Sequence, residues 1–424
     1  MIIALIAFVV LLLLGVPIAY VLGLTTVIYI FATDNLTLML TLPQRLYSGM
    51  ENYSLLAIPL FMLAGELMNF GGITKRLVDF AKKFIGHFRG GLAYVNVAAN
   101  MMLAAIIGSA TAQIAMMSRT MVPEMERSGY SKAFSTATTA AAGLLGPIIP
   151  PSMMFIIYGV SSGTSIADMF KAGVIPGILL GLSFMIIIAF IGMKEKWPKE
   201  KRASIKEMLL SFVKVLPALA VPIIIIVGIL SGAFTATESA AIACFVALIV
   251  GLLVYRELKI SSLPRVLINT VSTTAVITML IAMANIFGWM LAFEQVPQQI
   301  ASWMVSISDS TIIFLLLVNI FLLLLGMFMD GIAALIILVP IFMPLLPLYD
   351  VDPIHFGIIL CINLTIGILT PPVGSGLFVA SSITRVSIGS LVKSLWPFLI
   401  ASLIVLLILT YVPQLSLWIP NNIK

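Results

Sequence analysis

The 424-residue chain is 61% hydrophobic and only 9% charged, with a mean hydropathy of +1.18. A soluble fold of that balance would lack the polar surface to cover itself, so the solvent is mostly lipid. The net charge of +6 is spread over loops and reads as membrane topology, so no nucleic-acid partner is expected.

A helix needs about 20 apolar residues to cross roughly 30 Å of hydrocarbon. The first such run is 1–30, which has neither a charged start nor a cleavage site and reads as a span rather than a signal peptide. A second follows at 50–70. Within 72–89, Ile73, Leu77, Phe80, Phe84 and Phe88 recur at spacings of three and four with bases on the other side, an amphipathic arm expected to lie flat at the cytoplasmic interface. The next apolar arms, 92–107 and 112–123, are short. At about 1.5 Å per residue they reach only about 18–26 Å, so 92–123 reads as a re-entrant hairpin, with a pair of tilted spans as the other arrangement.

Spans are expected at 133–160, 172–193, 209–230, 234–254 and 266–293. The one marked hydrophilic linker, 194–207, carries Trp197 and Pro198 among six bases. Val296, Ile300, Trp303 and Ile307 mark a second arm at 294–309, and short arms at 311–326 and 331–347 a second hairpin. Spans at 355–384 and 390–415 and a tail at 416–424 complete the chain.

A shift of 221 residues, the distance from Pro150 to Pro371, brings two halves into register. Chosen to match Pro150-Pro151 with Pro371-Pro372, it also lays Pro123 on Pro344, Pro176 on Pro397, Ser161 on Ser382, Pro17 opposite Glu238, and the tip residue Ser109 on Asp330. Residues 1–193 form the first repeat and 231–415 the second, with 194–230 as a cytoplasmic linker and connecting helix. Counting each hairpin as no net crossing leaves nine crossings, and the odd connecting helix inverts the second repeat. One orientation gathers Lys75, Lys82, Arg119, Arg256 and Arg385 on a single side, which is then cytoplasmic, with the N-terminus inside and the C-terminus periplasmic. The expected fold is an all-α polytopic membrane protein of two inverted repeats, each with a hairpin and a broken helix, whose ligand site lies near the bilayer midplane.

The breaks themselves are GPIIPPS at 146–152 and GILTPPVGSG at 367–376. A double proline removes two amide donors and clashes with the preceding turn, which frees carbonyls upstream. Irregular backbone at membrane depth is tolerated only inside protein or beside a water-filled cavity. Freed carbonyls suit a hard cation such as Na+, and the half-helix after each break offers amides and a positive dipole to an anion. The tips add GSATAQ at 108–113, with the hydroxyls of Ser109 and Thr111, and FMDG at 328–331, with the carboxylate of Asp330. An acid there needs a cation or a proton to neutralise it, or else caps a short helix. Thr370, Asn363 and either Thr138 or Thr139 are further oxygen donors.

Glu66, Asn69, Asn100, Glu238, Asn285 and Asn319 read mostly as groups that bond between helices. Cys244 and Cys361 lie in apolar runs and His87 and His355 are far apart, so no metal or redox motif is formed. There is no nucleotide-binding glycine loop, no HExxH and no catalytic triad. The chain is therefore not read as an enzyme or an ATP-driven pump, and an ion gradient is the natural energy source. A channel without gradient coupling is the alternative.

GSATA at 108–112, VPEMxxxGY at 122–130, GPIIPPS, FTATESAA at 234–241, the MDG tip and TPPVG together resemble the large membrane (M) subunit of the tripartite ATP-independent periplasmic (TRAP) transporters, along essentially the whole chain. The sialic-acid type is the nearer match and the four-carbon dicarboxylate type the next. The resemblance implies a bacterial inner-membrane transporter working as a Na+-driven elevator. It also implies a separate small four-helix membrane subunit and a soluble periplasmic binding protein. One Na+ site is implied at Ser109, Thr111, Gly146, Pro147 and Pro150, and a second at Asp330, Gly367, Thr370 and Pro371. The organic anion, sialic acid by this resemblance, is expected at Ser152, Gly374, Ser375, Thr111 and Gln113. No organic cofactor and no transition metal are expected.

Overall fold

Lipid offers no hydrogen-bond partners, so backbone amides have to be satisfied within their own segments. The computed structural model, which describes residues 2–195, 197 and 202–423, meets that demand with helices, and the described residues contain no strand. α1 (Ile2–Leu13) and α2 (Ile18–Ala32) are parted where Gly15 holds a φ of +74° and Pro17 follows. The single run expected at 1–30 is thus two helices, because a left-handed glycine ends one and a proline starts the next. α3 (Leu42–Met50) falls outside every expected apolar run. α4 (Ala57–Phe70), the arm α5 (Ile73–Ile85), the hairpin α6 (Gly91–Ile107) and α7 (Ala110–Arg127), and the broken helix α8 (Lys132–Gly143) and α9 (Met153–Ser162) follow in order. α10 (Ile166–Lys194) and α11 (Ile205–Leu230) flank the linker, of which residues 196 and 198–201 lie outside the described residues.

The second half runs through α12 (Ala236–Ile249), α13 (Leu263–Phe293) and the arm α14 (Val296–Ile307) to a hairpin of α15 (Thr311–Phe328) and α16 (Gly331–Phe342), which a 3-10 turn extends to Tyr349. A broken helix of α17 (Pro353–Gly367) and α18 (Ser375–Thr384), then α19 (Ile388–Tyr411), complete it, and the expected tail begins with a further helix, α20 (Gln414–Asn422). Lys171 Nζ donates to the carbonyl of Ile423 at 2.9 Å, and His355 Nδ1 meets Ser416 Oγ at 2.7 Å, which docks α20 on the body.

Among the described residues, eight helical segments are long and apolar enough to cross a bilayer, and α15 and 331–349 are two of them. The arms of the second hairpin are thus longer than their apolar runs suggested, and shortness no longer argues that they turn back inside the membrane.

The 221-residue shift lays α2 on α12, α5 on α14, α6 on α15, α7 on α16, α8 on α17, α9 on α18 and α10 on α19 along the chain. Packing exchanges in the same way: α7 lies on α18 and α16 on α9, α8 on α19 and α17 on α10, α2 on α13 and α12 on α4. A two-fold relation between the halves requires such exchange. α1 packs on α2 as α11 packs on α12, so α11 has a counterpart in α1 instead of standing outside the pattern.

The core lies along the broken helices, where 134–148 and 355–367 are buried without exception. Small residues allow this crowding, as where Gly143 leaves room for Ile114 of α7. The apolar face of α5, with Ile73, Leu77, Val78 and Ala81, is buried, and the arm packs on α6 and α11, so that face meets protein where lipid was expected.

Candidate functional site

Each hairpin turns on the residue that precedes its second arm. Ser109 is the N-cap residue of α7, and Asp330 holds the same place at α16. Asp330 Oδ1 accepts from the amides of Ile332 at 3.0 Å and Ala333 at 3.4 Å. Asp330 therefore does cap its helix, while Oδ2 receives no hydrogen bond among the described residues. Ser109 makes no such cap bond, and its Oγ lies 3.3 Å from Thr111 Oγ1.

The two tips meet in one cavity of about 40 Å3, where Gly108 to Thr111 face Asp330, Gly331 and Ile332. Pro147 and Met154 of the first broken helix and Leu364, Thr365 and Ile368 of the second complete its wall. The arms of one hairpin do not pack along the arms of the other, so the contact is end to end. The first turns of α7, α9 and α16 all border the space, which sets three positive helix ends beside it, although the amides of Ile332 and Ala333 are taken by Asp330 and that of Phe155 by Ser152. The volume admits an ion with a water or two, and no organic acid.

At the first break, Ser152 accepts from the amide of Phe155 at 3.4 Å and donates to the carbonyl of Pro147. Gln113 reaches it from α7, so closely that a Cβ on Gly146 would stand 2.5 Å from Gln113 Oε1. That oxygen is buried with no partner among the described residues, while Nε2 donates to the carbonyl and side-chain oxygens of Asn100 at 2.7 and 2.8 Å. Asn100 donates to Asn96, and Asn96 to Thr139 Oγ1 at 2.7 Å, which ties α6, α7 and α8 together. Thr138 Oγ1 is a second buried oxygen without a partner among the described residues.

At the second break, Gly374 has a φ of +50° and donates to the carbonyl of Met327 at 3.1 Å, and Thr370 Oγ1 donates to that of Ile366 at 3.0 Å. Gly367 lies directly on the first arm of its hairpin, where a Cβ would stand 2.6 Å from Gly326 Cα. Asn363 donates to Asn319, which donates to Thr410 Oγ1 at 3.1 Å. Asn363 Oδ1 is buried and unpartnered among the described residues. Both Pro-Pro bonds are cis.

The cavity thus gathers Ser109, Thr111, Pro147 and Asp330 from the expected set. Gly146 and Gln113 lie behind it, and Pro150 faces an apolar pocket with Phe170, Val174 and Ile225. Gly367, Thr370 and Pro371 belong to the second break but do not line the cavity, nor do Ser152, Gly374 and Ser375. Thr365 and Met154 line it without having been singled out by motif. The signal for Thr365 was available: Leu364, Thr365 and Ile368 share one helix face just ahead of the double proline.

The sequence profile of the family described as "Tripartite ATP-independent periplasmic transporter, DctM component" matches residues 5–415. The chain belongs to this family. The C4-dicarboxylate TRAP large permease DctM of Pseudomonas aeruginosa is 43% identical over 93% of this chain and 92% of its own. The sialic acid TRAP large permease SiaM of Vibrio cholerae is 37% identical over 96% and 95%. The isethionate TRAP permease DctMQ of Oleidesulfovibrio alaskensis is 40% identical over 95% of this chain but 64% of its own. All three are named permeases rather than enzymes, and this TRAP large permease is likewise a multi-pass membrane transport protein.

Two solved structures share its fold. The YdaH transporter of Alcanivorax borkumensis has a TM-score of 0.61 at 16% identity, over 92% of this chain and 89% of its own. MtrF of Neisseria gonorrhoeae has 0.59 at 12%, over 92% and 85%.

Proposed function

We propose that this TRAP permease carries a small organic anion across the inner membrane together with Na+. In this reading the hairpins and broken helices move as one body against the remaining helices, the elevator movement that the family resemblance implies. The observation that carries it is the single cavity where two tips, three helix N-termini and one carboxylate converge. Hydroxyls of Ser109 and Thr111, carbonyls freed at the breaks and Asp330 Oδ2 form the hard oxygen set that Na+ prefers over softer ligands. A cation there neutralises Asp330, and the helix N-termini then favour an anion beside it, so each ligand helps the other to bind. The anion itself needs more space than the 40 Å3 found here, and this reading assigns it to the second break, where Ser375 is exposed.

The relatives' names support an acidic cargo, since C4-dicarboxylate, sialic acid, 2,3-diketo-L-gulonate and isethionate are all organic anions. Identity does not rank the cargoes, since C4-dicarboxylate permeases at 43% and 34% bracket the sialic acid permease at 37%, while the motif resemblance leans toward sialic acid. The length that DctMQ has beyond this chain supports a small membrane partner, and the word tripartite supports a third, periplasmic component. The basic loops support a cytoplasmic face at Lys75, Lys82 and Arg256 and a periplasmic C-terminus; with 1–30 divided into α1 and α2, the crossing count that set the N-terminus inside no longer holds.

Uptake into liposomes holding the permease, its small partner and its binding protein tests this reading. Succinate or sialic acid is expected to accumulate only when Na+ is higher on the binding-protein side. Accumulation indifferent to the Na+ gradient would end the coupling claim, and steady single-channel currents at fixed voltage would replace it with a channel.

A further inference from the structure

A second polar pocket, sharing no lining residue with the cavity at the hairpin tips, lies between α5, the first turns of α11 and the segment after α12. Lys75, Arg76 and Asp79 of α5, Ser211 and Lys214 of α11, and Glu257 enclose about 260 Å3. Arg76 is fully engaged: it pairs with Glu257 at 2.8 Å, donates to the carbonyl of Gly72 at 2.8 Å and lies 3.8 Å over the Tyr255 ring. Tyr255 braces the other wall, donating to the carbonyl of Lys214 at 2.8 Å and accepting from the amide of Ala218 at 3.0 Å. Among the described residues, Lys75, Lys214 and Asp79 have no ion-pair partner. Two cations and one anion are left unmatched, a surplus of one positive charge.

Lys214 stands where a bare ammonium is costly. Its neighbours Phe212, Val213 and Leu216 are 41%, 60% and 50% exposed, in a segment apolar enough to span a bilayer. A lysine among lipid-facing residues near the end of a span lays its stem on apolar surface and holds its head at the level of lipid phosphates. Basic pockets between helices at that level recruit lipid head groups.

We propose that this pocket binds the head group of a monoanionic phospholipid of the phosphatidylglycerol class. The phosphate sits between Lys75 and Lys214 with the Ser211 hydroxyl donating to it, and the glycerol hydroxyls donate to Asp79. The acyl chains run along Leu209, Phe212 and Val213 of α11. A head group of charge −1 cancels the surplus, whereas a zwitterionic phosphoethanolamine leaves it standing. The lipid bridges the arm that leads into the first hairpin and the helix that joins the two halves.

The test uses the full chain in nanodiscs of phosphatidylethanolamine with phosphatidylglycerol admixed, followed by mild detergent extraction and native mass spectrometry of the retained lipid. Wild type is expected to keep one phosphatidylglycerol in preference to phosphatidylethanolamine. The double variant Lys75→Gln, Lys214→Gln is expected to retain it about 30-fold less well, the loss for two lysines at an anionic lipid surface. Lys206→Gln, on the exposed first turn of the same helix and outside the pocket, keeps wild-type retention. Undiminished retention in the double variant, equal retention of both lipids, or an equal loss in Lys206→Gln overturns the proposal. Thermal unfolding gives a second reading: added phosphatidylglycerol raises the midpoint of wild type and not of the double variant, and an equal rise in both overturns it as well.

Discussion

The two helix breaks carry the same double proline 221 residues apart, yet their settings differ. Pro150, Pro151 and Ser152 are buried, whereas Pro372, Val373 and Ser375 are exposed. Gly146 is pressed by a side chain, Gln113, and Gly367 by the backbone of Gly326. The tip belonging to the first carries a hydroxyl and the tip belonging to the second a carboxylate. Prolines remove the same amides in both places. What differs is the neighbouring hairpin, which fills the first break with a polar side chain and meets the second with bare main chain. The motif decides where a helix stops, and its neighbours decide what can reach the gap.

The difference between the tips gives the largest expected effect. Asp330→Ala should abolish Na+-stimulated uptake and also remove a cap worth about 1 kcal/mol. Asp330→Asn separates the two, because asparagine caps as well as aspartate but carries no charge. Its unfolding midpoint should stay near wild type while Na+ dependence is lost, and wild-type Na+ dependence in that variant would remove Asp330 from the ion site.

The difference in exposure predicts an all-or-none contrast in labelling. In a chain that keeps its buried Cys244 and Cys361, Ser375→Cys should react with a maleimide and Ser152→Cys should not. Equal rates would show that the breaks are not differently open.

Backbone against side chain should show in stability. Gly367→Ala meets main chain that cannot step aside and should cost about 3 kcal/mol, the upper end for overpacking, read as a lowered unfolding midpoint in detergent. Gly146→Ala meets a side chain and should cost about 1 kcal/mol, with Gln113→Ala restoring part of the loss. A larger loss for Gly146→Ala would reverse the comparison. The smallest effect belongs to Asn319→Ala, which cuts the link between Asn363 and Thr410 at about 0.6 kcal/mol, typical of a hydrogen bond between membrane helices. Uptake should survive it, and a loss as complete as that of Asp330→Ala would give this network a role in transport.

Much of the architecture can be read from the residues because lipid simplifies the problem: long apolar runs, proline pairs and small polar tips each have one local meaning. The misses have local causes too. Hydropathy gave one span for 1–30 because Gly15 and Pro17 break a helix without lowering its apolar average much. Leu42–Met50 mixes leucine with arginine and glutamine, so α3 leaves no apolar signal. In the site, Ser109, Thr111, Pro147 and Asp330 could be found because tips and breaks are visible as motifs. Thr365 was missed because it sits on the intact side of a break, and the direction of Pro150 is set by how the chain turns after Gly146, which spacing does not specify.

The exchanged packing of α7 on α18 and α16 on α9 has a consequence for how such a molecule can be divided. A polypeptide severed between α10 and α11 would give two fragments, each with a complete hairpin but with half of the chamber's wall missing. Cargo recognition could return only by complementation, as it does for an enzyme whose active centre straddles two subunits.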